Sequence, residues 1–152
     1  MTGTESNPFL AAFRRLAITQ GLLPGALQSG RQFDFVVVTA AAIVAFTPGR
    51  DYSEREVNAI LEDWLAGPGA MLATDHVELR RLLIDCRLLA RDGYGRRYGR
   101  TGAPEDWREA MDALGSVDLV AEAALARKRD GEARAHRKAQ WEKRPRPEPA
   151  GP

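Results

Sequence analysis

Tyr52-Ser53-Glu54-Arg55-Glu56-Val57-Asn58 and, further on, Leu79-Arg80-Arg81-Leu82-Leu83-Ile84-Asp85-Cys86-Arg87-Leu88-Leu89-Ala90-Arg91 are the phrases whose reading decides the fold. In the first, Ser53 is placed to cap a helix and Glu56, three residues on, to close a capping box. Val57, Ile60, Leu61 and Trp64 then recur at helical spacing until Gly67-Pro68-Gly69 ends the run. Asp75 and Glu78 form a second capping pair, opening a helix that turns Leu79, Leu82, Leu83 and Cys86 inward. Residues 88–91, the turn Asp92-Gly93-Tyr94-Gly95 and residues 96–100 read as strand, tight turn and strand.

Working outward, Asn7-Pro8 starts a helix carrying Phe9, Leu10, Phe13, Leu16 and Ala17, stopped by Gly21. Residues 22–30, with Pro24, Gly25 and Gly30, read as a connector. From Arg31 the apolar pattern Phe33, Val36, Val37, Ala40, Ile43 and Val44 is helical. The run Val36-Val37-Val38 would suit a strand, but Ala40-Ala41-Ala42 and the length favour a helix, broken by Thr47-Pro48-Gly49. Beyond Gly102, Pro104 opens a helix with Trp107, Ala110, Met111 and Leu114 on one side. After Ser116 another follows, with Val117, Val120, Ala121, Ala124 and Leu125.

Helix, short extended piece, helix, helix and hairpin is the order of a winged helix-turn-helix; the rival is a small helical domain with an incidental hairpin. The expected fold is mainly α with a small β hairpin, a winged helix-turn-helix-like domain plus C-terminal helices. Residues 1–30 supply an N-terminal helix and connector, 31–102 the winged domain, 103–126 amphipathic helices forming an appendage, and 127–152 a basic helix with a Pro-rich disordered end. Phe33, Val37, Ile43, Val57, Leu61, Leu79, Leu83 and Leu88 are expected to meet in one core.

The formal charge of +1 conceals an asymmetry. Residues 1–126 hold 13 Arg against 17 acids, a net of −4, whereas residues 127–146 hold nine Lys or Arg against three acids, a net of +6. That split describes a mildly acidic body with a basic tail. Four prolines in the last eight residues point to disorder there, and residues 1–7 are expected to fray. The lone Cys86 leaves no internal disulfide and fits a reducing, cytoplasmic setting. The most apolar window, residues 33–46, contains Asp34 and is too short to span a bilayer, and no signal peptide is read, so no membrane role is expected.

The phrase Phe46-Thr47-Pro48-Gly49-Arg50 leading into residues 52–58, with Leu79-Arg80-Arg81, Asp85, Leu88-Leu89, Arg91 and Tyr98, resembles the prokaryotic domain of unknown function 2087 over about residues 21–102. The resemblance implies a small winged-helix-like domain linked to transcriptional regulators, with no established activity. Residues 25–33 hold one basic residue where the family carries a Lys/Arg-rich run, and Gly99 stands where an aromatic usually follows the tyrosine.

On the helix spanning residues 75–87, the inward leucines put Glu78, Arg81 and Asp85 farthest out and Arg80 with Arg87 on one flank. Arg81 can pair with Asp85 or Glu78. Arg80 and Arg87, with no acid on their flank, are candidates for guanine edges or phosphates. The hairpin adds Arg91, Arg96, Arg97 and Arg100, which suit a wing tracking a phosphate backbone. The alternative there is a polar hairpin with Tyr98 packed on the core. Glu56 is explained by capping, and Asn58 is placed to hydrogen-bond a loop.

Catalysis finds little support. His76 and His136 are far apart, Cys86 and the two His lack metal-ligand spacing, and Gly93-Tyr94-Gly95 lacks the strand-to-helix context of a nucleotide loop. Asp51, Glu54 and Glu56 complement a helix dipole. No enzyme activity, cofactor or metal is expected. Two functions remain: a DNA-binding or accessory transcriptional regulator acting on duplex DNA, and a protein-interaction or homodimerisation module using the helices after Gly102.

Overall fold

The computed structural model describes residues 7–94 and 96–145. Residues 1–6, Gly95 and residues 146–152, and with them most of the start expected to fray and of the Pro-rich end expected to be disordered, lie outside them. The described residues form seven α-helices and two β-strands.

Asn7 caps α1 (Pro8–Ala17): its side-chain oxygen accepts from the Leu10 N–H at 3.0 Å, and its amide donates to the Ala113 carbonyl at 3.1 Å. Helix α2 (Pro24–Gly30) occupies what the sequence presents as a connector. Pro24 presets its first turn, but its one buried anchor, Leu27, leaves no apolar stripe to read. Helix α3 (Gln32–Ile43) is the hub. Ten consecutive residues, 34–43, are buried, so it is covered on every side, and that burial overrides the strand preference of its three valines.

A helix apolar all round does not tell which aromatic faces inward. Phe33, expected in the core, is 47% exposed and stacks on Phe9, with ring centroids 5.4 Å apart; Phe35 takes the buried place. The other seven expected core residues are buried.

In α4 (Glu54–Ala66) the capping box is complete: the Ser53 hydroxyl accepts from the Glu56 N–H, and the Glu56 carboxylate accepts from the Ser53 N–H, both at 3.1 Å. In α5 (His76–Asp85) Asp75 accepts from the Glu78 N–H at 2.8 Å, while the Glu78 carboxylate accepts from the Thr74 hydroxyl. The turn between them packs Gly69 onto the Trp64 ring so closely that a Cβ there would lie 2.1 Å from a ring carbon. A parallel bridge between Leu22 and Leu72 stitches the α1–α2 connection to the same turn.

Strands β1 (Leu89–Arg91) and β2 (Tyr98–Arg100) pair antiparallel, Ala90 opposite Gly99. Tyr52 joins the other edge of β2 through two 2.8 Å bonds with Tyr98. The sequence α3, Tyr52, α4, α5, β1, β2 is therefore a winged-helix-like arrangement.

Helix α6 (Glu105–Gly115) packs on α3, burying Ala110, Met111 and Leu114; Trp107 donates its indole N–H to Thr39 at 2.8 Å inside the core. Helix α7 (Leu119–Glu142), capped by Asp118, packs on α1. These helices belong to the single core and are not the expected appendage.

Candidate nucleic-acid interface

Helix α5 ends where the wing begins, and the join determines where Arg87 points. Arg87 N–H donates to Ile84 and Leu88 N–H to Leu83, both at 2.9 Å, so the helix closes with a left-handed residue at the C′ position. That residue is Arg87, at φ 62°, where glycine is the usual occupant. The closure buries Leu83 against Leu88 and leaves the Arg87 side chain exposed at the foot of the wing. The wing turn is built on Asp92, whose carboxylate accepts from the N–H groups of Tyr94 and Arg96. Arg91 and Arg96 are exposed, the latter with its guanidinium carbon 6.0 Å from the Tyr94 ring centroid. Arg97 is exposed and sits 3.4 Å from Asp51.

The other two candidates turn inward. Arg80 donates to Asn58 at 2.6 Å, lies 3.3 Å from Glu54 and stands over the Tyr98 ring, pinning α5 to α4 and the wing. Its side chain is only 14% exposed. The flank assigned to Arg80 thus does have an acid, supplied by α4. Arg81, the residue with acids at i−3 and i+4, is exposed and has no ion pair among the described residues. The pairing expected of Arg81 falls to Arg80 instead, because Arg80's partners come from another helix, which spacing along α5 does not reveal. Arg100 donates to the Phe46 carbonyl at 3.1 Å; burial lowers its pKa, with the charges of Asp112 and Tyr52 opposing. It is a structural cation.

Acids interleave with this surface, so the six arginines form no unbroken basic face. Asp51 meets Arg97, Glu54 meets Arg80, and Glu78 and Asp85 lie exposed on α5. Four guanidiniums remain outward at the α5–wing junction: Arg87, Arg91, Arg96 and Arg97. Tyr98 is buried, its hydroxyl 3.4 Å from Glu54, as expected for a residue packed on the core. Cys86 is half-buried, and burial, with the Asp85 charge, raises its thiol pKa, so it stays protonated near neutral pH.

Arg127 is a residue that composition misplaces. It falls in the charged tail, yet its guanidinium donates to the carbonyls of Ala17, Gly67 and Pro68 at 2.9, 2.7 and 3.3 Å. Those are the ends of α1 and α4, so Arg127 fastens α7 beside the α4–α5 turn. Its partners lie 56 or more residues away, and no local pattern could have found it.

Residues 30–100 match the model of a family described as "Uncharacterized protein conserved in bacteria (DUF2087)". The chain resembles that family there. The match runs from the last residue of α2 to the last of β2, the winged-helix-like unit; α1, α6 and α7 lie outside it. No curated protein and no solved structure matches the chain. Among the described residues no helix is long and apolar enough to cross a membrane.

Proposed function

We propose that the winged-helix-like unit binds duplex DNA, in the transcription-linked role that the family resemblance implies, through Arg87, Arg91, Arg96 and Arg97. The observation that carries this reading is the sorting of the arginines: two of the six turn into the fold, and four stay outward around one short hairpin. Arg87 strengthens it, because a strained cation occupies a position where glycine would be more stable. Glu78 and Asp85 on the outer face of α5 would repel phosphate, so the wing, with Arg87 just past the helix end, makes the contact rather than the helix lying in a groove. Binding of this kind is backbone-dominated, strongly salt-dependent and weakly sequence-selective.

A salt titration of the intact protein on a short duplex tests it. Arg96→Ala with Arg97→Ala flattens the slope of log K against log salt by about 2, at roughly 0.9 per phosphate contact. Wild-type protein that binds no duplex at about 50 mM salt contradicts the reading.

One observation favours the interaction module instead. Val120 and Leu125 on α7 are 64% and 42% exposed, whereas α6 is already covered by α3. A concentration-dependent dimer abolished by Val120→Asp with Leu125→Asp selects that reading.

A further inference from the structure

Helix α7 continues past the body it is fastened to. Asp130 is half-buried, but residues 131–142 are all exposed, so the outer half of the helix stands in solvent. Core packing does not account for its composition. At 100° per residue, Arg134, Arg137, Lys138 and Trp141 share an arc of about 100°, and Arg144, just past the helix end, is held to the same side over the Trp141 ring. Asp130 falls on that arc and is held by Arg134 at 3.0 Å; Glu132 lies opposite and Glu142 to one side. A merely solvated helix would alternate the signs around its circumference, and this one collects cations on one face.

That face also carries an aromatic ring. Trp141 is 70% exposed, with the Arg144 guanidinium carbon 5.5 Å from its centroid. Arg137, Lys138, Gln140, Trp141 and Arg144 line one shallow hollow. Helical residues 134–142 extend over about 12 Å, with Arg144 just beyond, room for a few consecutive phosphates. A lipid surface would need a broad apolar face, and this stretch offers only one large apolar side chain among alanines.

We propose that this stripe is a nucleic-acid site separate from the wing, taking a single-stranded segment. The cations follow its phosphates, and an unstacked base lies on the free face of Trp141. A duplex keeps its base faces stacked and cannot use the ring in this way.

The test titrates the intact protein with labelled oligo-dT, a duplex and phosphatidylserine-containing vesicles. Trp141→Ala should weaken oligo-dT binding about tenfold or more, and Trp141→Phe should restore part of it. Arg137→Ala, Lys138→Ala and Arg144→Ala together should flatten the oligo-dT salt slope by about 2, at roughly 0.7 per phosphate. Arg96→Ala with Arg97→Ala should leave oligo-dT binding unchanged, so this site and the wing stand or fall separately. The altered residues lie outside the core, and circular dichroism checks that helix content is retained. Wild-type oligo-dT affinity in Trp141→Ala, no oligo-dT binding by the intact protein, oligo-dT affinity that follows Arg96 and Arg97, or Trp141-dependent binding to vesicles alone would each overturn the proposal.

Discussion

Arg87 holds a left-handed backbone at the end of α5, a conformation that costs an L-residue roughly 1 kcal/mol relative to glycine. Arg87→Gly is therefore expected to stabilise the fold by about 0.5–1 kcal/mol while weakening duplex binding, a trade between stability and function. Thermal melts and duplex titrations check the two halves separately, and a lower Tm in this variant contradicts the assigned strain. Arg80→Ala should do the reverse of a base-reading variant: lose about 1–3 kcal/mol of stability, because Asn58 and Glu54 are left without their partner. Asp34 gives a pH test. Burial pushes its pKa up, but the bonds and charges of Arg15 and Arg31 outweigh that and hold it below its ordinary 3.8. A depressed folded pKa means that this stability is complete above about pH 4 and is lost as pH falls through the lower folded value. Asp34→Asn should lower Tm at pH 7, and the gap to wild type should shrink below about pH 4. A gap constant from pH 7 to 3 would sink this assignment.

The α4–α5 connection is packed closely against the Trp64 ring. Gly69 leaves room for the Trp64 ring and nothing else, so Gly69→Ala should cost about 1–3 kcal/mol through overpacking, read as a fall in the denaturation midpoint. Arg127 crosses beside the same turn. Ending the chain at Ala126 should lower Tm, because three carbonyls lose their donor, whereas ending it at Arg134 should leave Tm nearly unchanged. Equal melting temperatures for the two truncations would show that Arg127 fastens nothing. Elements with local signals were legible in advance. Ser53 with Glu56, Asp75 before α5 and Pro8 after Asn7 place three helix starts from their own neighbours. Helix α2 was not legible, since Leu27 alone makes no stripe. Arg80, Arg100 and Arg127 are not legible in the sequence for one reason: their hydrogen-bond partners are 22, 54 and at least 56 residues away, and guanidiniums that bridge elements look in sequence like guanidiniums in solvent.

At the scale of the molecule, α3 is enclosed by α1, α2 and α6, and the winged unit rests on that same core. The family match covers α3 to β2 but not the helices that complete the burial of α3, so the matched residues and the folded unit are not the same set. Charge is distributed by the same logic. Several arginines of the body fasten elements and four others face outward around the wing, while the free half of α7 carries a separate basic face. The central claim is that the α5–wing junction is the duplex-binding surface. An amide chemical-shift titration of the intact protein with a short duplex at low salt measures it residue by residue. The account predicts perturbations concentrated between Arg87 and Arg97, with the far end of α7 little changed. Perturbations confined to residues 131–144, or none anywhere, would contradict it.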